Sequence, residues 1–283
     1  MAKALWVRSS AVSLLMLVVL LFVWHLAALP EKTSGVPAGM SDEYAAMMGM
    51  GAAAAPKAGM PGPADIALTV WEKLSDPFYD NGPNDKGIGI QLGFSLARVL
   101  AGFFLAAAVA IPLGFVIGMS PVMRGALDPF IQVMKPISPL AWMPLALYTI
   151  KDSSLSAIFV IFICSLWPML INTAHGVASV KREWLNVALT LEVSPLRKAF
   201  QVILPAAAPT ILTGMRISMG IAWLVIVAAE MLVGGTGIGY FVWNEWNNLS
   251  LNNVIFAILS IGVVGMVLDL MFGWVSRLVA YRE

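Results

Sequence analysis

Long apolar runs separated by short polar breaks occupy most of the chain. Runs of about 20 residues, enough to cross a hydrocarbon core as helices, fall at 9–29, 96–119, 127–150, 155–178, 206–233 and 253–276. This pattern predicts an all-α integral membrane protein with six transmembrane helices. The third run differs from the others because Asp128, Lys135, Pro136, Pro139 and Pro144 interrupt it. Such breaks are tolerated where neighbouring helices satisfy the freed backbone groups or where the segment lines a cavity.

The polar segments predict further elements. Residues 64–74 place Ile66, Leu68, Val70, Trp71 and Leu74 at roughly helical spacing, with Asp65 near the start, which predicts a short amphipathic helix at a membrane surface. Residues 76–89 carry turn chemistry. The Ala/Met/Gly/Pro stretch from 44 to 63 contains Pro56 and Lys57 and is read as a loosely ordered linker rather than a seventh span. Between the fourth and fifth apolar runs lies a basic segment with Lys181, Arg182, Arg197 and Lys198. A helix over 183–194 would put Trp184, Val187, Ala188 and Leu191 on one face. Ser194-Pro195 then reads as a break that opens a second helix, 196–203, stopped by Pro205. Amphipathicity alone fits either an interfacial helix lying on lipid or a docking surface for a partner.

Composition agrees with membrane insertion: of 283 residues 59% are hydrophobic and 12% charged, and the mean hydropathy is +0.84, outside the soluble globular range. With six spans and the basic segment inside, both termini are inside, and Lys3, Arg8, Arg124, Arg277 and Arg282 join the cytoplasmic side, as the positive-inside rule requires. The loop from 30 to 91 is then external. The first apolar run is longer than a signal-peptide core and no Ala-x-Ala site follows it, so it reads as an uncleaved span. The division that results is a first transmembrane helix (1–29), an external loop with linker and amphipathic helix (30–91), and a transmembrane core (92–278).

The basic segment also resembles the signature loop of the permease subunits of ABC importers, whose pattern is Glu-Ala-Ala, three residues, Gly, nine residues, Ile-x-Leu-Pro. Asn186-Val187-Ala188 stands at the first position, Glu192 at the glycine, and Val202-Ile203-Leu204-Pro205 closes the motif after nine intervening residues. The opening half departs from the pattern at both its Glu and its Gly. Residues 135–147, 161–173, 222–231 and 237–248 are similar to the nitrate permease branch, which is itself similar to bicarbonate, cyanate, taurine and alkanesulfonate permeases. The resemblance implies a type I importer permease fold in a bacterial inner membrane, with 181–205 as a cytoplasmic coupling loop. It also implies a permease homodimer, two cytoplasmic ATPase subunits docked beneath it through Trp184, Val187, Ala188, Leu191, Ser194 and Arg197, and an external substrate-binding protein that delivers the anion. The implied function is ATP-driven import of a small inorganic anion, nitrate first, by alternating access. An ATP-independent channel or secondary transporter is the rival of another class.

Ionisable residues at membrane depth are costly and mark routes or internal pairs; here they are Arg98, Asp128, Lys135, Arg216, Glu230 and Asp269. Lys135 beside broken backbone suits attraction of a small anion, or else an internal pair with Glu230 or Asp128, or snorkelling. Trp142, Asn172, Thr173 and Trp223 offer neutral hydrogen bonds along a route, and each equally suits packing. Glu230, which would repel an anion, reads as a partner for a basic residue or a gate element. Gly234-Gly-Thr-Gly-Ile-Gly239 lacks the Lys-Ser/Thr of a nucleotide loop and predicts a tight turn, and Gly114-x-x-x-Gly118 predicts close helix packing. No Walker sequence, catalytic constellation, cofactor motif, metal set or nucleic-acid signature is present, and the single cysteine, Cys164, lies in an apolar run. Any energy source is therefore a partner.

Overall fold

The structure, a computed structural model, describes residues 2–29, 60–82 and 84–279. Its helices are α1 (Ala2–Ala27), α2 (Pro63–Ser75), α3 (Ile88–Met119), α4 (Pro121–Met134), α5 (Met143–Ile150), α6 (Ser153–Ala178), α7 (Arg182–Thr190), α8 (Pro195–Lys198), α9 (Leu204–Val233), α10 (Ile238–Asn247) and α11 (Leu251–Val279). Strands do not occur among the described residues. The chain separates into two compact units, Met1–Ser75 with Leu249–Phe256, and Asp76–Asn248 with Ala257–Glu283.

In the first unit α1 is exposed from Arg8 to Ala27 except at the half-buried Trp24. The Trp24 indole donates to the Pro61 carbonyl at 3.0 Å, which ties its end to the entry of α2. Asp65 accepts from the Gly62 amide at 3.1 Å and fixes the start of α2. Ile66 and Thr69 are buried while Leu68, Trp71 and Leu74 stay exposed, so the amphipathic helix expected at 64–74 is present. The linker expected at 44–63 lies, up to residue 59, outside the described residues.

In the second unit α6 is the central helix, flanked by α3 and α9. Glycine governs both seams. A Cβ at Gly114 would lie 2.6 Å from the Thr173 Cβ, and one at Gly118 would lie 2.6 Å from the Val177 Cβ, so the GxxxG pair lets α3 press directly on α6. On the other side, a Cβ at Gly214 would lie 2.6 Å from the Asn172 Cβ, which brings α9 equally close.

Among the described residues five helices are long and apolar enough to cross a membrane: Arg8–Ala27, Ile88–Met119, Ser153–Ala178, Pro195–Val233 and Leu251–Val279. The run at 127–150 is not one helix. It is built from the end of α4, a 3-10 turn over Pro139–Trp142 and the short α5. Pro121, Pro139 and Pro144 each sit in the first turn of their element, where a missing N–H costs no helical bond. The second span begins at Ile88 rather than 96, so the last residues assigned to the external loop are helical.

Between α2 and α3 the turn is pinned by the Lys86 ammonium, 2.7 Å from Asp80. That contact holds the Asp80 carboxyl below the usual carboxylate range. Burial, with Asp85 beside it, pushes Tyr79 up to about 12.

Candidate functional site

The basic segment folds into a helix–turn–helix platform packed on the ends of two spans. Leu185 on α7 packs on the apolar cluster of Val177 from α6, Ile203, and Ala207 and Ile211 from α9. Trp184, Val187 and Leu191 remain exposed, at 44%, 59% and 70%, and Ser194 and Arg197 are exposed as well. Ala188, expected on the same outward face, is buried; with Leu185 it forms the side of α7 that faces its own chain. Leu189, Leu196 and Phe200 are exposed instead, so the apolar surface extends beyond the motif. Lys181 lies over the Trp184 ring, 5.4 Å from its centroid, where a cation is favourable.

The departure at Glu192 leaves the geometry intact. Glu192 has φ 51°, its amide donates to the Leu189 carbonyl at 3.0 Å, and the Val193 amide donates to the Ala188 carbonyl at 3.0 Å. This is the paired helix stop that normally places glycine in the left-handed position. A glutamate there carries a steric cost of roughly 1–2 kcal/mol, and the packing of Leu185 and Ala188 holds it.

Pro205 does not end the helix that precedes it. The chain runs helically from Pro195 to Val233, with a π-helical turn over Ala199–Ile203. Proline at 205 has no N–H to give the Gln201 carbonyl and its ring crowds that carbonyl; the wider turn accommodates both. The second half of the platform, from Pro195, and the fifth apolar run are thus one continuous helix.

At the other end of α9 a buried polar node organises a glycine turn. Glu230 is 2% exposed. It accepts from Arg98 Nη1 at 2.7 Å, from the Ser95 hydroxyl at 2.8 Å and from the Gly239 amide at 3.0 Å. The Gly237 amide donates to Gln91 Oε1 at 2.6 Å and the Ile238 amide to Ser95 Oγ at 2.9 Å. Three first-turn amides of α10 therefore find side-chain acceptors from α3 and α9, with a carboxylate at the positive helix end. Arg98 also donates to the Thr236 carbonyl at 2.6 Å and to Ser154 Oγ at 2.9 Å. Gly234, at φ 78°, takes a left-handed turn, and a Cβ at Gly237 or Gly239 would collide with Glu230 or the Val227 carbonyl.

The pairing of Lys135 with Glu230 or Asp128 is not found: Arg98 holds Glu230, Asp128 accepts from Gln132 at 2.8 Å, and Lys135 is exposed at the end of α4. Arg98 reaches Glu230 because Gln91, Ser95 and Arg98 share one face of α3 at i, i+4 and i+7; that polar stripe in an apolar helix was the sequence signal for this node. Of the neutral candidates, Asn172 donates to the Pro168 carbonyl of its own helix at 2.8 Å, and Trp223 donates to the Ile261 carbonyl of α11 at 2.9 Å. Thr173 Oγ1 and Trp142 Nε1 are buried and make no hydrogen bond. Arg216 on α9 and Asp269 on α11 make a fork-to-carboxylate pair, with Arg216 Nε donating to Asp269 Oδ1 at 2.6 Å and Nη2 to Oδ2.

The helical bundle, with α9 running from the basic segment at one end to the Glu230 turn at the other, has the architecture of a membrane-spanning protein. The chain belongs to the family of inner membrane components of binding-protein-dependent transport systems, whose profile matches residues 110–281. It is 45% identical over 224 residues, 79% of this chain and 82% of the relative, to the nitrate import permease protein NrtB of a Synechocystis strain. The bicarbonate transport system permease protein CmpB of the same strain is 43% identical over 208 residues, 73% of this chain and 74% of that protein. Among solved structures, a chain of the MetNI methionine ABC transporter in inward-facing conformations superposes with a TM-score of 0.58 at 13% identity, covering 67% of this chain and 94% of that one. The fold is therefore that of a type I ABC importer permease, and the chain is a membrane permease subunit.

Proposed function

We propose that this chain is the nitrate-conducting permease of an ATP-driven importer, with residues 181–205 as its coupling loop. The observation that carries the coupling role is the platform itself: an exposed apolar face around Trp184, Val187 and Leu191, seated through Leu185 on the cluster of Val177, Ile203, Ala207 and Ile211 and followed, after the Glu192 turn, by a helix that runs unbroken from Pro195 into α9. Two cytoplasmic ATPases dock on the platforms of two paired copies of the chain, through these residues and the exposed Ser194 and Arg197. Both termini and the platform face the cytoplasm, and the loop assigned to 30–91 faces outward, the side on which a substrate-binding protein delivers its anion. A push on α7 is passed through Leu185 to the cluster in which Val177 of α6 meets Ile203, Ala207 and Ile211.

Nitrate as the cargo is supported by the relatives named as nitrate import permeases, at 43–45% identity. The second reading is bicarbonate, supported by relatives named as bicarbonate permeases at 41–43%. The test is ATP hydrolysis and uptake by the purified complex in proteoliposomes, with its binding protein loaded in turn with nitrate, bicarbonate, cyanate, taurine and an alkanesulfonate. Stimulation by nitrate above the others supports the proposal; stimulation by bicarbonate alone transfers the cargo to the second reading, and uptake without any ATPase removes the coupling role.

A further inference from the structure

Among the described residues one face of α9 is exposed along three turns, and its one hydrogen-bonded side-chain partner there is Asp269 of α11, on Arg216. Thr213, Arg216, Ile217, Gly220, Ile221 and Leu224 recur at i, i+3, i+4, i+7, i+8 and i+11, and all are exposed, while Ser218, Met219, Ala222, Trp223, Val225 and Ile226 on the other faces are buried. Arg216 lies 14 positions before Glu230 and 12 after Leu204, about 21 Å and 18 Å along the helix, so it stands at membrane depth. The Arg216 and Asp269 side chains are nonetheless 45% and 54% exposed. A charge pair at that depth is too costly to face hydrocarbon, so this face fronts water or protein.

We propose that Arg216, held by Asp269, is the contact at which the permeating oxyanion is recognised in the half of the membrane nearer the coupling loop. This rests on the reading above that the chain conducts such an anion. Asp269 occupies Nε and Nη2 of the guanidinium, and Nη1 makes no hydrogen bond among the described residues. The stripe residues and Asp269 line a recess of about 560 Å³, and at Gly220 a Cβ would meet nothing within 4 Å, so the recess is open beside the guanidinium. A planar guanidinium donates to a planar oxyanion along matched directions. The carboxylate cancels most of the positive charge, which suits a station the anion must leave as readily as it enters.

The experiment uses the whole complex in proteoliposomes and reads assembly by size exclusion, binding-protein-stimulated ATP hydrolysis, and anion imported per ATP. Arg216→Lys keeps the charge without the fork; the double variant Arg216→Met with Asp269→Leu replaces the pair by apolar groups of similar bulk. The expected result is intact assembly and hydrolysis within about twofold of wild type, with nitrate imported per ATP lowered about tenfold or more, the scale of a lost charged hydrogen bond. Wild-type import per ATP in the double variant overturns the proposal. Loss of assembly in either variant also overturns it and assigns the pair to contact between two copies of the chain. If the wild-type complex imports none of the oxyanions, the functional reading itself fails and this inference falls with it.

Discussion

Arg98→Met tests the account of the glycine turn. In the folded chain Arg98 satisfies Glu230, the Thr236 carbonyl and Ser154 at once, and Glu230 is 2% exposed. Removing the guanidinium leaves a buried carboxylate with only Ser95 and the Gly239 amide. Breaking a buried ion pair from one side costs about 3–5 kcal/mol; the two surviving donors place the expected loss near 3 kcal/mol. At about 2–4 °C per kcal/mol for a domain of this size, the purified complex loses its monodisperse peak on heating roughly 6–12 °C earlier. Glu230→Gln alone loses a similar amount, because Arg98 is then the unpaired charge. The double variant loses less than the sum of the two singles, by about 2 kcal/mol, since neither charge is left alone. Equal additivity, or a shift under about 2 °C for Arg98→Met, refutes the node as a charge pair held by burial.

Three further outcomes are expected. Glu192→Gly relieves a left-handed glutamate and raises hydrogen-exchange protection of the Val193 amide about fivefold or more, an effect of roughly 1 kcal/mol; Glu192→Ala, which keeps the steric cost, leaves protection unchanged, and equal gains in both would point to charge instead. Gly114→Leu drives a side chain into Thr173 and abolishes recovery of folded protein, whereas Gly125→Leu, where a Cβ meets nothing within 4 Å, is recovered normally. Lys135→Ala lowers nitrate uptake with assembly preserved if the exposed ammonium attracts the anion; unchanged uptake removes Lys135 from the route.

Much of this architecture was legible in the sequence, because membrane insertion forces long apolar helices and because proline and glycine carry fixed geometry. Pro139 and Pro144 announced breaks, and each opens a helical element. Pro205 misled, since a π turn upstream accommodates it and the helix continues. Ala188 misled for another reason: periodicity identifies a face but not which of two neighbouring stripes turns inward, and Leu185 decided that by packing on the cluster of Val177, Ile203, Ala207 and Ile211. The site was less legible than the fold. Glu230 was singled out, but its partner lies 132 positions away, and only the i, i+4, i+7 stripe of Gln91, Ser95 and Arg98 hinted at it. The geometry at Glu192 was hidden by residue type, because tertiary packing imposed a conformation that glutamate does not favour on its own.

The central claim is that the 181–205 platform couples ATP hydrolysis to movement of the anion. Its most direct test is ATP-driven nitrate uptake by the reconstituted complex carrying Trp184→Asp with Leu191→Asp, measured beside co-purification of the ATPases. The account predicts a folded permease that retains its spans, loses the ATPases and imports no nitrate. Retained ATPases with full uptake would contradict it.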